Sequence, residues 1–307
     1  MTDTPSSPLV SVVMIFLDPK REFLFEAVDS VLAQTETDFE LLLVDDGSTN
    51  GSSELAKGLA ANRDPRIRYF SHPADENLGT GPSRNLGLHS ARGRYLAFLD
   101  SDDRWEPEFL SQRLAELARN PTARVAFGPV RFWTSWSSAA KGPDRVQPMV
   151  VATDAVYPAS AELVSLQLQG RLDFFLQGLV VETRLAREVN GFPASFDRLL
   201  EDVAFIAQLL CQSTVFISSV PLSLYRIHDD STCAGESVRA TGLAGLRLLQ
   251  WAEAELPYAG LSDPQRVRRT IERQQWCLAH FQAPVGPDLW LEARRRLKKI
   301  VIRALPR

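Results

Sequence analysis

The sequence is poor in cysteine. Its 307 residues contain three cysteines, Cys211, Cys233 and Cys277, and none of them forms the CxxC spacing of a zinc or redox site. An odd and scattered set argues against a disulfide framework and is typical of a reducing compartment. We therefore expect neither a structural zinc site nor a disulfide-stabilised secreted domain.

Long apolar segments and a strong excess of charge are also missing. The longest early apolar run, residues 9–17, is interrupted by Ser11 and is far shorter than a membrane span. The basic start of a signal peptide does not precede it. The net charge of −4 argues against a general nucleic-acid binder. These features predict a cytoplasmic globular protein with no nucleic-acid partner.

Short apolar strands alternate with helices through the first hundred residues. Strand patterns at 10–17, 41–44, 67–70 and 95–99 are separated by helical patterns at 22–34, 52–62 and 83–91. The strand patterns are apolar on both faces, as in a parallel sheet that is covered by helices on both sides. The chain is therefore expected to have an α/β fold, with a helical C-terminal extension from about residue 236.

Carboxylates directly follow two of these strands. Asp45 and Asp46 end the second strand pattern, and Asp100, Asp102 and Asp103 follow the fourth. Ligands bind at the carboxyl edge of open α/β sheets, and carboxylate oxygens there suit a hard divalent cation. The alternative is a polar turn in which Asp103 caps a helix that begins near residue 106.

Four further motifs lie along the chain. They are Gly81-Pro82-Ser83-Arg84-Asn85, the run from Gly93 to Asp100, Leu200-Glu201-Asp202-Val203 and Tyr225-Arg226-Ile227-His228. Over residues 8–232 the ordered set resembles the inverting glycosyltransferases of family 2, which have the GT-A fold. The resemblance implies a Rossmann-like, mostly parallel sheet flanked by helices, and a nucleotide-sugar donor.

The resemblance implies a donor site in the first half of the chain. Asp46, with Asp45 beside it, would accept a hydrogen bond from the imide N–H of the donor's base. Uracil and thymine share that group, so UDP- and dTDP-sugars are favoured. Asp100, followed by Ser101, would contact the ribose. Arg84 would lie near the donor's phosphates or base, or it would form an ion pair at the start of a helix.

The resemblance also implies a metal ion and a general base. Asp102 would bind Mn²⁺ or Mg²⁺, which would stabilise the diphosphate leaving group as a Lewis acid. His228 would complete this site or satisfy loop backbone groups. Asp202 would be the base that an inverting attack requires, and Glu201 would hold the acceptor or a loop. Alternatively, Glu201 and Asp202 are first-turn acids that the helix dipole favours.

The expected organisation has three parts. Residues 1–130 would form the nucleotide-sugar-binding half, residues 131–232 the acceptor-binding half, and residues 233–307 the helical extension. The expected reaction transfers a hexosyl group to an acceptor hydroxyl of a glycan or lipid-linked molecule. The resemblance suggests a role in bacterial cell-surface polysaccharide or glycan synthesis.

Other protein classes share parts of this pattern. A non-catalytic sugar-nucleotide-binding protein would keep the fold, although the intact Asp100, Asp102 and Asp202 argue against lost chemistry. A receiver-like signalling domain also has paired aspartates, but it begins with the acidic strand, whereas a strand–helix unit precedes Asp45 here. A nucleotidyltransferase would need a glycine- and arginine-rich phosphate loop, of which residues 18–21 are a poor version.

The aromatic residues around the expected site are unusual. Leu17 stands where family members place an aromatic residue beside the base, so base stacking is expected to be weaker or to come from Phe16. Trp133 and Trp136 would stack on a sugar, or they would belong to the core, which is favoured for Trp133.

The last residues combine an apolar stripe with many basic side chains. A helix over residues 288–305 would place Leu297, Ile300, Val301 and Ala304 on one face. Such a helix would make peripheral contact with an anionic membrane at its inner face through residues 288–307. It would otherwise dock on the catalytic domain or on a second subunit of a homo-oligomer.

Overall fold

In a computed structural model of the chain, residues 7–137, 142–168, 172–196, 199–228 and 238–256 are described. The prediction of a basic helix at 288–307 lies outside these residues, as does most of the expected C-terminal extension. None of the helices within the described ranges combines the length and the apolar character that a membrane span requires.

The described residues form two sheets with helices around them. The strands are β1 (Val10–Phe16), β2 (Phe39–Asp45), β3 (Ile67–Ser71), β4 (Tyr95–Phe98), β5 (Arg104–Trp105), β6 (Val125–Phe127), β7 (Val130–Trp133), β8 (Arg145–Val146), β9 (Ala155–Tyr157), β10 (Leu179–Glu182), β11 (Val215–Ile217) and β12 (Ser223–Arg226). The helices are α1 (Arg21–Leu32), α2 (Ser52–Asn62), α3 (Thr80–Ser90), α4 (Phe109–Arg119), α5 (Ala161–Leu168), α6 (Thr183–Glu188), α7 (Glu201–Gln212) and α8 (Val238–Glu255).

The larger sheet has eight strands in the order β3-β2-β1-β4-β10-β6-β11-β9. The first four are parallel, and β10 lies antiparallel between β4 and β6. The chain runs outward from β1 to β3 and returns to β4 on the other side of β1. The carboxyl ends of β1 and β4 therefore flank a topological switch point, where open α/β sheets bind ligands. This order differs from the 2-1-3-4-5 order of receiver-like sheets, which excludes the signalling alternative.

The core lies on both faces of this sheet, as the apolar strands predicted. Alternate residues of β1 point to opposite sides, so Val13 and Ile15 enter one hydrophobic cluster and Val12 and Met14 enter the other. Helix α3 packs closely on β1 because residue 87 is glycine. A Cβ atom there would lie 2.4 Å from Val13 Cγ1. This close packing fixes the position of α3, which carries Arg84.

The second sheet has the order β5-β12-β7-β8. Strand β12 is antiparallel to β5 and parallel to β7, so a segment near residue 225 pairs with segments about 100 residues earlier. Trp105 of β5 is buried and stacks on Phe109, and its indole N–H donates to the Gln177 carbonyl at 2.9 Å. This sheet brings residues 226–228 next to the acidic cluster that follows β4.

Three strands and one helix differ from the sequence expectations. Strands β5, β8 and β9 and helix α5 were not predicted, because their apolar patterns are too short to be recognised alone. Helix α4 begins at Phe109 with Glu108 as its N-cap residue. Strand β5 (Arg104–Trp105) lies between Asp103 and the helix. The prediction that Asp103 caps this helix is therefore wrong.

Candidate active site

Asp45, at the end of β2, is buried and holds the following turn. Its carboxylate accepts hydrogen bonds from the Ser48 backbone N–H at 2.8 Å, from the Tyr69 hydroxyl at 2.9 Å and from the Ser53 hydroxyl. Burial and the bond to Asp45 raise the pKa of Tyr69 to about 12. Asp45 thus fixes the loop between β2 and α2 at the ligand-binding edge.

Asp46 is buried against the start of α3. Its Oδ1 atom accepts from the backbone N–H groups of Leu78 at 2.9 Å and Gly79 at 3.0 Å, and from the Ser83 hydroxyl at 3.0 Å. His72 Nε2 bonds Ser83 Oγ at 2.8 Å and lies 3.7 Å from the same Asp46 oxygen. Asp46 therefore orients the loop before α3, and its contact with a nucleotide base stays a prediction.

The end of β1 supplies an exposed leucine. Leu17 is 45% exposed, whereas Phe16 is 2% exposed and belongs to the core, so the expectation that Phe16 supplies base stacking is wrong. The next residue, Asp18, has φ 46° and accepts from the backbone N–H groups of Thr49 and Asn50 at 2.6 and 2.9 Å. These bonds join the loops that follow β1 and β2.

Arg84 joins two of the predicted acidic residues. Its Nη2 atom donates to Asp100 Oδ1 at 2.9 Å, and Nη1 donates to Glu201 Oε1. The Arg84 side chain is 8% exposed. Burial alone would lower the pKa of Arg84, but Asp100, Glu201 and Asp202 outweigh it and raise that pKa above its ordinary value. Arg84 therefore stays charged and links α3, the end of β4 and the start of α7.

Asp103 points away from this edge into the protein. Its carboxylate accepts from the Arg226 backbone N–H at 2.7 Å and from Gln177 Nε2 at 2.6 Å. Burial and the neighbouring carboxylates Asp102 and Asp100 raise the pKa of Asp103 well above its usual range. Asp103 ties the acidic loop to the second sheet, a role that its sequence position did not reveal.

Asp100 and Asp102 point in different directions on either side of the half-buried Ser101. Their side chains are 35% and 34% exposed, so solvent and ligands reach both. Burial and Asp102 raise the pKa of Asp100, and Arg84 opposes this change. Asp102 Oδ2 lies 3.0 Å from His228 Nε2. The predicted metal ligands Asp102 and His228 are therefore adjacent.

The Asp102–His228 pair fits a metal that is shared with a substrate. Within the described ranges, no group of three or more His, Cys, Asp or Glu residues could hold a metal ion alone. Mg²⁺ in such sites uses one or two carboxylates and completes its shell with substrate phosphates and water. Two protein ligands at the switch point are therefore sufficient for a cation that a diphosphate also binds.

Glu201 and Asp202 begin α7 close to Arg84. Glu201 is buried, and its Oε1 atom also accepts from Thr80 Oγ1 at 2.7 Å. The backbone also packs tightly here, since a Cβ atom at Gly81 would lie 3.0 Å from the Phe196 carbonyl oxygen. Burial and Glu201 raise the pKa of Asp202 to about 6, although Arg84 acts in the opposite direction.

This pKa suits a general base. The Asp202 carboxylate is half-buried, and its Oδ1 atom accepts from the Val203 backbone N–H at 2.8 Å. A carboxylate with a pKa near 6 is more basic than an ordinary aspartate and is still ionised at neutral pH. The arrangement can therefore remove a proton from a hydroxyl that reaches this edge.

Arg226 is a central residue that sequence analysis assigned no role. Its guanidinium donates to the Asp102 carbonyl at 2.6 Å and to Glu26 at 2.5 Å, and the side chain is 1% exposed. It lies 4.2, 4.4 and 5.1 Å from the ring centroids of Phe23, Trp133 and Trp136. The two tryptophans therefore enclose a cation. The only sequence signal was that Arg226 stands two residues before His228.

Comparisons with known proteins agree with this architecture. The family model described as glycosyl transferase family 2 matches residues 11–148. An uncharacterized glycosyltransferase of Rickettsia felis is 44% identical over 95 residues, which are 31% of this chain and 15% of that protein. TuaG of Bacillus subtilis, a glycosyltransferase named for teichuronic acid biosynthesis, is 38% identical over 107 residues, 35% of this chain and 41% of that protein. The chain thus matches less than half the length of either relative.

Known structures share the fold. Staphylococcus aureus TarS in complex with UDP-GlcNAc is similar with a TM-score of 0.62 and 16% identity, over 97% of this chain and 81% of that one. The mannosyltransferase PcManGT of Pyrobaculum calidifontis, in complex with GDP-Man and Mn²⁺, has a TM-score of 0.55. That match covers 99% of this chain and 77% of PcManGT.

Proposed function

We propose that this chain is an inverting glycosyltransferase, because residues 11–148 match the model of glycosyl transferase family 2 and the sheet is similar to those of GT-A enzymes. The observation that supports this most directly is the convergence of six side chains at the carboxyl edge between β1 and β4. They are Arg84, Asp100, Asp102, Glu201, Asp202 and His228.

The proposed donor is a nucleoside diphosphate sugar, with UDP or dTDP favoured. Asp46 would contact the base, and Asp100 and Ser101 would contact the ribose. Binding of UDP-GlcNAc and GDP-Man by two structural neighbours supports a nucleotide-sugar, although it does not select among bases. The exposed Leu17 leaves an apolar surface at this edge, but no aromatic ring for the base.

We propose that Asp102 and His228 hold Mn²⁺ or Mg²⁺. When bound, such a cation supplies positive charge that stabilises the diphosphate as it leaves. The chain itself orients the two ligands, since Arg226 bonds the Asp102 carbonyl and the Phe23 ring lies 5.2 Å from the His228 ring. A Mn²⁺ complex among the structural neighbours supports the choice of metal.

Asp202 is proposed as the general base of a single displacement. It would take the proton of the acceptor hydroxyl while that hydroxyl attacks the anomeric carbon, and the configuration would invert. Glu201, held by Arg84 and Thr80, would position the start of α7 rather than exchange protons itself. The raised pKa of Asp202 supports this division of roles.

The acceptor is proposed to be a glycan or a lipid-linked molecule, bound mainly by residues 131–232, with residues 1–130 binding the donor. A relative named for teichuronic acid biosynthesis supports a role in bacterial cell-surface polysaccharide synthesis. We further propose that the transferred sugar is a hexose and that the reaction takes place in the cytoplasm, at or near the inner face of the membrane.

Donor binding and transfer can be tested together. UDP-, dTDP- and GDP-sugars would each be mixed with the protein, with Mn²⁺ or with a chelator, and the unfolding temperature measured. A true donor at 100 times its Kd stabilises the fold by about 2.7 kcal/mol. Nucleotide release would then be followed with glycan and lipid-linked acceptors, and NMR would show a β product from an α-linked donor.

Variants separate binding from catalysis. Asp202→Asn should bind the donor normally but lose about 10²–10⁴ in rate. Near-normal turnover would place the base elsewhere, and an α product would contradict single displacement. Donor binding without nucleotide release for every acceptor would favour the non-catalytic sugar-nucleotide-binding alternative.

A further inference from the structure

Two arginines on the second sheet have no carboxylate partner among the described residues. Arg104 of β5 and Arg131 of β7 both flank Leu224 of β12, because Leu224 is in register with each of them. Both side chains are half-buried, and the Nε atom of each is buried with no hydrogen-bond partner. A buried donor without a partner is costly, so these two groups are incomplete as they stand.

The two arginines share a face with Arg226. Residues two apart on a strand point to the same side, which places Leu224 and Arg226 together. The contacts agree, since the guanidinium groups of Arg104 and Arg226 lie 5.3 and 4.4 Å from the Trp133 ring centroid. Within the described part of the chain, only Arg226 of the three has an ion-pair partner, Glu26. Three positive side chains on one face of a sheet favour binding of an anion there.

This cationic face continues toward the proposed metal site. Arg226 and His228 both contact the Phe23 ring, at 4.2 and 5.2 Å, so one line of contacts joins Arg104 to the Asp102–His228 pair. Arg131 is in register with Leu224, which is four residues from His228, or about 13 Å along an extended chain, whereas Arg104 is two residues from Asp102. A diphosphate held at Asp102 is therefore too far from Arg131 to bind it. A ligand that contacts both arginines must extend beyond the donor's diphosphate.

We propose that Arg104 and Arg131 form a subsite for an anionic group of the acceptor, either a phosphate or a carboxylate. The inference rests on the proposed function, because the reacting hydroxyl must lie near the diphosphate and the anion therefore belongs to a more distant part of the acceptor. Planar guanidinium groups bind both anions through paired N–H donors. The subsite would select charged acceptors over neutral ones.

Binding of short oligomers tests the proposal without turnover. The full chain, saturated with UDP and Mn²⁺, would be titrated with oligogalacturonate, with a glycerol phosphate oligomer and with a neutral malto-oligosaccharide of equal length. The two anionic probes distinguish carboxylate from phosphate recognition. We expect at least one of them to bind, with an affinity that falls as salt rises, and the neutral oligomer to bind at least tenfold more weakly.

Two variants with the same loss of charge give the comparison. Arg104→Gln/Arg131→Gln should weaken binding of the anionic oligomer by about tenfold for each arginine. Arg119→Gln/Arg184→Gln removes two exposed arginines of α4 and α6, outside the second sheet, and should leave binding unchanged. Equal weakening by both double variants, or none by the first, would overturn the proposal. UDP affinity, measured on the same samples, tests the donor site, so loss of the proposed function would be seen separately.

Chemical modification keeps the test decisive if the double variant fails to fold. Phenylglyoxal would be applied to the unaltered protein, and the modified arginines identified by mass spectrometry. The anionic oligomer should protect Arg104 and Arg131 at least fivefold, while UDP should not protect Arg131. Equal modification with and without the oligomer would refute the subsite.

Discussion

At the scale of single residues, the raised pKa of Asp202 predicts that stability falls and activity rises as pH increases. The folded-state pKa of about 6 lies above the ordinary value of 3.8, because burial and Glu201 disfavour the charge. The stability that this group contributes is therefore fully present below pH 3.8 and is lost as pH rises through about 6. The proposed general-base role requires the ionised carboxylate, so activity should rise over the same pH range.

The pH profile of kcat/KM is the first prediction. It should rise about tenfold per pH unit below pH 6 and level off above it, since kcat/KM reports the free protein. Asp202→Asn should lose rate and also increase the free energy of unfolding at pH 7, by about 1–3 kcal/mol. Thermal unfolding of the parent and the variant at pH 5 and pH 8 checks the predicted gain in stability. A variant that is less stable than the parent at pH 8 would contradict the raised pKa.

Arg84 gives the second prediction. Arg84→Met removes the cation from two carboxylates, one of them the buried Glu201, and should destabilise the fold by about 3–5 kcal/mol. Arg119→Met, at the exposed end of α4, is the matched control and should change stability by less than about 0.5 kcal/mol. Urea unfolding measures both. Similar stability in the two variants would mean that Arg84 does not compensate buried charge.

Arg226 gives the third prediction, as a positioning residue. Arg226→Lys keeps the positive charge but cannot bond the Asp102 carbonyl and Glu26 in the same planar geometry. Because such supporting contacts orient metal ligands, Mn²⁺ affinity in the presence of UDP should fall about 10–100-fold. Mn²⁺ electron paramagnetic resonance measures it directly. Unchanged affinity would show that Asp102 and His228 do not need this support.

At the scale of elements, the strands with long apolar patterns were predictable and the short ones were not. The patterns predicted β1 to β4 and α1 to α3, because each buries apolar side chains that repeat over several residues. Strand β5 has two residues, and it exists only because β12, more than 100 residues later, pairs with it. The formation of β5 therefore depends on a tertiary contact that no local pattern reveals. This is why the prediction that Asp103 caps α4 was wrong.

Two helical glycines give the fourth prediction. Gly87→Ala should destabilise the fold by about 1–3 kcal/mol, because its Cβ would lie 2.4 Å from Val13 Cγ1. Gly58→Ala in α2 meets nothing within 4 Å and should stabilise the fold by about 0.5–1 kcal/mol. Chemical unfolding of the two variants should therefore show changes of opposite sign in the free energy of unfolding. Equal effects would mean that α3 moves freely against β1.

At the scale of the whole molecule, the sequence predicted which residues gather at the candidate site but not which residues they bond. The order of the motifs predicted that Asp100, Asp102, Asp202 and His228 lie at one edge. The Arg84–Glu201 bond joins residues 117 positions apart, and the Arg226–Glu26 bond joins residues 200 positions apart. A single sequence contains no periodicity that specifies such distant contacts.

The bond between Arg84 and Glu201 has a consequence for the order of synthesis. A ribosome completes α3 and the acidic loop long before it reaches α7, so the emerging first half holds Arg84 without Glu201. Closing so long a loop is a slow step in folding. The proposed base, Asp202 of α7, joins the proposed donor-binding half only at that step. Under the proposed function, a nascent chain would therefore acquire the residues for the sugar nucleotide before it acquires the base.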